Sequence, residues 1–222
     1  MTRKLRLPAV TLGVMMAAVL MLPRPASAVT ALVYDDTLKD IQQTANRPCV
    51  IGSPSCTQAL PYTTVPGGPG DQNLQSPTYT VSQLVNVLSG NTSFNILIDV
   101  NQSGGDFTDA ISITKLEVWI AGVLQYALSP LPQNSPTSGT LNGNGFSDAG
   151  AKVVSLAGLA GTTEVFFRAA WTNQTDGQES FFLAPVNSPP SVIPEPASLL
   201  LLGTGLASVG GMVRRRRLSQ RV

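Results

Sequence analysis

Phe94-Asn95-Ile96-Leu97-Ile98-Asp99-Val100 decides the fold class. Phe94, Ile96, Ile98 and Val100 recur with period two, and Asn95, Leu97 and Asp99 alternate with them. Side chains of a strand point to opposite faces in turn, so the pattern predicts a strand with one face buried. Downstream, Ile111 to Ile120 repeats it, with Leu116, Val118 and Ile120 on one face and Lys115, Glu117 and Trp119 on the other. Ala121-Gly122 reads as a tight turn into Val123–Leu128, which makes a hairpin. After a polar stretch over 130–150, strands are expected at about 152–156, 164–171 and 180–186, with Asp176-Gly177 as a turn between the last two. Upstream, Thr80-Val81-Ser82-Gln83 is a capping-box pattern, and Val81, Leu84, Val85 and Leu88 follow at helical spacing. A short helix over about 81–88 is predicted, ended by Gly90-Asn91. Residues 29–77 are rich in Pro, Gly, Ser, Thr, Asn and Gln and predict loops with one short strand at 31–34. Six or so strands and one short helix predict a mainly β, β-sandwich-like domain over 29–190.

Composition narrows the function. The 222 residues carry a formal net charge of +1, but nine of the 14 Lys and Arg lie in 1–28 and 214–222. Residues 29–213 keep five bases against all 13 acids, a net of −8. No nucleic acid is expected as partner, because a phosphate backbone needs clustered Lys and Arg. There is no histidine, which removes Ser-His-Asp and Cys-His catalysis and His-ligated metals. With 20 Gly, 17 Pro and only 12% charged residues, the chain is turn-rich and poor in ion pairs, which suits an exported β-protein.

Both ends read as addresses. Arg3, Lys4 and Arg6 precede an apolar stretch from Leu7 to Leu22, and Ala26-Ser27-Ala28 follows Pro23 and Pro25. This is the pattern of a signal peptide over 1–28, with cleavage between Ala28 and Val29, rather than an uncleaved anchor. At the other end, Pro194-Glu195-Pro196 precedes an uncharged stretch over 197–213 and the run Arg214-Arg215-Arg216-Arg217. As a helix, 17 residues rise ~25 Å, slightly short of a ~30 Å hydrocarbon core. Arginines that snorkel and a locally thinned bilayer cover the difference. Four arginines after a span are a stop-transfer signal, which places the body outside and the tail inside. Gly203, Ala207 and Gly211 form a small-residue face, which fits either close helix packing or ordinary glycine use in membrane helices.

The order Pro194-Glu195-Pro196, Leu/Gly-rich span, Arg214 to Arg217 resembles the PEP-CTERM sorting signal, here over residues 192–217 within a terminal segment 191–222. The resemblance implies recognition of Pro194, Glu195 and Pro196 by exosortase, a membrane-embedded cysteine transpeptidase of Gram-negative bacteria that make exopolysaccharide. It further implies processing near that motif and a setting of biofilm. A plain single-span anchor is the alternative.

Within the body, Cys49 and Cys56 are the only cysteines, and in an oxidising compartment they are expected to form a disulfide. The run Asp99, Asn101, Ser103, Asp106, Asp109 alternates oxygen side chains before and after a glycine turn, like the front of a calcium loop. It ends on Ala110 where such a loop has a bidentate Glu, so a strand end followed by a polar loop is the competing reading, and no cofactor other than calcium is expected. Ser112-Ile113-Thr114-Lys115 matches S-x-x-K, but on a strand those two side chains point apart. Gly145-Phe146-Ser147-Asp148-Ala149 approaches a nucleophile elbow without its last glycine or a histidine. Glu117, Glu164 and Glu179 are the glutamates available for a glycosidase pair, with a Glu164–Arg168 ion pair as the simpler use of one of them. Trp119, Tyr126, Trp171, Phe181 and Phe182 are either a sugar-stacking platform or core aromatics.

The expected protein is non-catalytic. The translocon and signal peptidase export it, its C-terminal span holds it briefly in the inner membrane, and exosortase then releases it to the cell surface or matrix. A structural or adhesive role linked to exopolysaccharide is expected. The alternatives are a carbohydrate-binding or polysaccharide-acting protein, and a permanently anchored one.

Overall fold

The computed structural model describes residues 28–57, 59–101, 111–132, 134–136, 141–142, 144–175 and 177–186. The elements are β1 (Thr30–Asp35), β2 (Cys49–Gly52), β3 (Thr63–Thr64), β4 (Gly70–Gln75), β5 (Tyr79–Thr80), α1 (Val81–Val87), β6 (Ser93–Asp99), β7 (Ser112–Ile120), β8 (Val123–Leu128), β9 (Ala149–Ser155), β10 (Glu164–Gln174) and β11 (Ser180–Pro185). The fold is mainly β with one short helix, as expected.

A sandwich of two independent sheets was expected, and the strands instead make one. Its order is β3-β2-β11-β6-β9-β1-β8-β7-β10-β4, with β5 paired to β10. The joint is β1. Thr30, Ala31 and Leu32 pair in parallel with Tyr126, Ala127 and Leu128 of β8. Val33, Tyr34 and Asp35 pair antiparallel with Lys152, Ala151 and Gly150 of β9. The two ends of the path then meet, because Thr63 Oγ1 on β3 donates to the Gln75 carbonyl on β4 at 2.7 Å. The sheet is therefore barrel-like and nearly closed, an arrangement that removes most edge N–H and C=O groups from competition with other chains.

Phe94, Ile96, Ile98 and Val100 point into the main core with Leu116, Val118, Ile120, Phe167, Trp171 and Phe181. Phe94 meets Phe167 edge-on at 6.1 Å, and Trp171 lies 5.1 Å from Phe181. The capping box forms: Gln83 N donates to Thr80 Oγ1, and Thr80 N donates to Gln83 Oε1. It starts α1 so that Val81 and Leu84 join the same core. Ala121 and Gly122 take φ of +51° and +74°, the left-handed pair that a two-residue hairpin turn requires.

Three differences from expectation have physical reasons. The other face of β6 is also buried, since Leu97 packs with Ile41, Cys49, Phe182 and Ala184 in a second cluster. That packing brings the chain close to Gly150, where a Cβ would sit 2.9 Å from the Ile96 carbonyl oxygen and 2.9 Å from Leu97. Second, the region 29–77 holds four strands rather than one. Third, β9 starts at Ala149 and β10 runs to Gln174, beyond their apolar alternation. The expected signal segment up to Ser27, the sorting motif, the span, the Arg run, residues 102–110 and Asp176 lie outside the described residues. Among the described residues, no helix is long and apolar enough to cross a membrane.

Candidate functional site

The sheet register gathers three acids at one end of β6. That strand ends on Asp99, and its two neighbours run against it. Ile98 pairs with Ala149, the first residue of β9, and Asp99 pairs with Ser180, the first residue of β11. The residues just before those strands, Asp148 and Glu179, therefore flank the end of β6. Asp99 is 1% exposed, Asp148 3% and Glu179 0%.

Backbone N–H groups hold the cluster in place. Gly145 N donates to Asp99 Oδ2 at 2.8 Å. Val100 N donates to Asp148 Oδ2 at 2.7 Å, and Asn142 N donates to Asp148 Oδ1. Asn101 N donates to Glu179 Oε2 at 2.6 Å. Asp99 Oδ1 has no hydrogen-bond partner. Burial pushes the Asp99 carboxyl up to about 8, and the like charges of Asp148 and Glu179 add to that, against the Gly145 N–H and the Asn101 side chain. Burial pushes Asp148 up to about 7, opposed by the Asn142 and Val100 N–H groups and assisted by Asp40. Desolvation penalises the charged form of a carboxylate, which accounts for the direction of both shifts.

Beside the cluster lies a polar cleft of about 320 Å³, lined by Ser53, Gly67, Asn101, Asn144, Gly177 and Gln178. The Asn101 side-chain amide donates to the Gln178 carbonyl at 3.0 Å. The expected disulfide is present between Cys49 and Cys56. It closes the loop carrying Ser53, whose N–H donates to Ser180 Oγ at 3.1 Å.

The remaining candidates disperse. Of the calcium-loop residues, Asp99 and Asn101 belong to the cluster, and Ser103, Asp106 and Asp109 lie outside the described residues. Ser112 accepts from the Asn173 amide, while Lys115 Nζ reaches Asn73 Oδ1. Ser147 is buried, and its Oγ accepts from Ile41 N. Glu117 faces outward on β7 and accepts from Trp119 Nε1 at 2.8 Å, whereas Glu179 is buried just before β11. The Glu164–Arg168 ion pair does not form. Arg168 instead donates to Gln75 Oε1 and lies over the Trp119 and Phe166 rings at 4.8 and 5.3 Å. Trp171, Phe181 and Phe182 are core residues, and Tyr126 OH donates to the Ser155 carbonyl. Trp119 alone of the five platform candidates turns outward, stacked on Phe166 at 5.7 Å. Sequence reasoning missed Phe166 as its partner; the signal was the shared outward phase of the two strands. It also missed the joining of Asp148 to Asp99, whose only trace was that each stands at a strand boundary.

Comparison with known proteins adds one finding. Residues 192–217 match the PEP-CTERM protein-sorting motif. The chain thus carries a signal directing export through the membrane to the cell surface, with processing by exosortase. No curated protein and no solved structure matches the chain.

Proposed function

We propose that this chain is a non-catalytic surface or matrix protein of the exopolysaccharide layer, delivered by its two ends and acting through its β domain. The observation that carries the reading is the sorting motif at 192–217, which follows a domain whose last strand among the described residues ends at Pro185. The signal peptide is cut between Ala28 and Val29, after Ala26-x-Ala28. Val29 is 46% exposed and precedes β1, so the cut leaves every strand whole. Exosortase then recognises Pro194, Glu195 and Pro196 while the span over 197–213 and Arg214 to Arg217 hold the chain in the membrane. A structural role is supported by how the candidate catalytic groups are used. Ser112, Lys115, Ser147 and Glu117 each hold a local hydrogen bond of the fold rather than facing one another.

The test is mass spectrometry of the surface product from cells with and without exosortase. The expected product begins at Val29 and ends near Pro196. Glu195→Ala is expected to leave the tail attached and the protein in the carbonate-resistant membrane pellet. An intact Val222 on a surface product of normal cells overturns processing and leaves the permanent anchor. A second reading, carbohydrate binding, is favoured by the outward Trp119–Phe166 pair beside Arg168 and Gln75. Aromatic faces stack on sugar rings. Binding in a glycan screen that Trp119→Ala abolishes would select it.

A further inference from the structure

Two of the five bases between residues 29 and 213 stand together on the outer face of the sheet. Arg168 of β10 lies opposite Gln75 of β4 and Glu117 of β7, and Lys115 of β7 lies opposite Ala170. Residues 168 and 170 share one face of β10, so Arg168 and Lys115 are diagonal neighbours across the two strands. Among the described residues neither is paired with an acid. Arg168 Nε donates to Gln75 Oε1 at 2.9 Å, and Lys115 Nζ to Asn73 Oδ1 at 3.3 Å. By contrast, Lys152 pairs with Asp35, and Arg47 donates to the Gln42 carbonyl. Glu117 turns its carboxylate to the Trp119 indole N–H rather than to the guanidinium opposite it.

The guanidinium is held in place before any ligand arrives. It lies over the half-buried Trp119 and Phe166 rings, and Gln75 fixes its Nε, which leaves its two terminal NH₂ groups as a planar fork. Such a fork matches a carboxylate with two parallel hydrogen bonds. Asn73 and Gln75 use their amide oxygens on the two bases and keep their NH₂ groups as donors. Two exposed acids bound the face: Asp71, two residues before Asn73, and Glu164, two before Phe166. They repel a dense polyanion and favour a ligand whose negative charges are spaced apart.

We propose that this face binds an acidic polysaccharide whose carboxylated sugars alternate with neutral ones. Arg168 and Lys115 hold a carboxylate, the Trp119–Phe166 pair packs against the C–H faces of the rings, and the Asn73 and Gln75 amides meet hydroxyls. This rests on the carbohydrate-binding reading of the same aromatic pair and names its sugar class.

The test is calorimetric titration of the full chain in detergent with a hyaluronan tetrasaccharide, in which every second sugar is a uronate. Its methyl ester, with the same rings and no charge, is titrated in parallel. The expected result is saturable binding of the acid form, ~10-fold or more tighter than the ester and weakened by salt. Arg168→Gln is expected to bring the acid form down to the level of the ester. Arg168→Lys should recover only part of the loss, because an ammonium lacks the fork. The arginines at both ends are common to every variant, so the difference between wild type and Arg168→Gln reads this face alone. Binding of neither form overturns the proposal and the carbohydrate reading together. Equal binding of the two forms overturns the proposal and leaves that reading standing. Acid-form binding that is unchanged in Arg168→Gln also overturns the proposal. If circular dichroism shows that Arg168→Gln is unfolded, Lys115→Gln decides: weaker binding of the acid form supports the face and unchanged binding overturns it.

Discussion

Asp99 and Asp148 are acids kept where water does not reach, and that has a consequence for pH. Their carboxyls are pushed to about 8 and about 7 in the folded state, against an ordinary value near 3.8. The folded protein therefore holds protons that the unfolded chain has released. The contribution of this pair to stability is therefore greatest near pH 4, falls as pH rises, and levels off above about pH 8. The groups around the pair, Glu179 and Asp40, are acidic and reinforce this direction. Thermal unfolding across pH 4 to 9 checks it, and a Tm that rises over this range contradicts it. The pair was only half legible in the sequence. Asp99 and Asn101 stood out because oxygen side chains alternate there. Asp148 and Glu179 did not, because they lie 49 and 80 residues away from Asp99 and meet it only through the antiparallel register of β9 and β11 on β6.

Elements were legible where their side chains carried the period. The strand at 94–100, the hairpin turning at Ala121-Gly122 and the helix after Thr80 all form because local pattern and burial agree. The strand β4 was hidden because Gly70-Asp71-Gln72-Asn73-Leu74-Gln75 has one large apolar residue. It exists by pairing along β10, from Gln75 opposite Arg168 to Gly70 opposite Gln174. The adjoining Ser76 continues that pairing, its Oγ accepting from Phe167 N at 2.9 Å. For α1, of only seven residues, the cap should matter more than propensity. Thr80→Ala removes the acceptor for Gln83 N and is expected to cost ~1 kcal/mol. Urea unfolding measures it; Gln83→Ala should cost less, because Thr80 N can turn to water at this exposed site.

At the scale of the whole molecule, the ring depends on β1. Among the described residues it is the strand that pairs with both the β8 half and the β9 half, which are otherwise linked by Tyr126 OH to Ser155, while the opposite seam rests on the Thr63–Gln75 contact between β3 and β4. No composition argument foretells a strand that pairs in parallel on one side over its first half and antiparallel on the other over its second. The strand lies one residue inside the expected signal-peptide cut, so the position of that cut is structurally constrained. A chain beginning at Val29 keeps all of β1, including fully buried Leu32. One beginning at Val33 loses the Thr30–Leu32 pairing with β8 and opens the ring at its joint. The first is expected to unfold cooperatively at the same Tm as the longer chain. The second should unfold at a markedly lower Tm or without a sharp transition, since the loss combines a buried leucine, typically ~2–5 kcal/mol, with a broken ladder. Differential scanning calorimetry of the two decides it. Equal transitions would mean that the two halves stand as separate sheets, as a sandwich would.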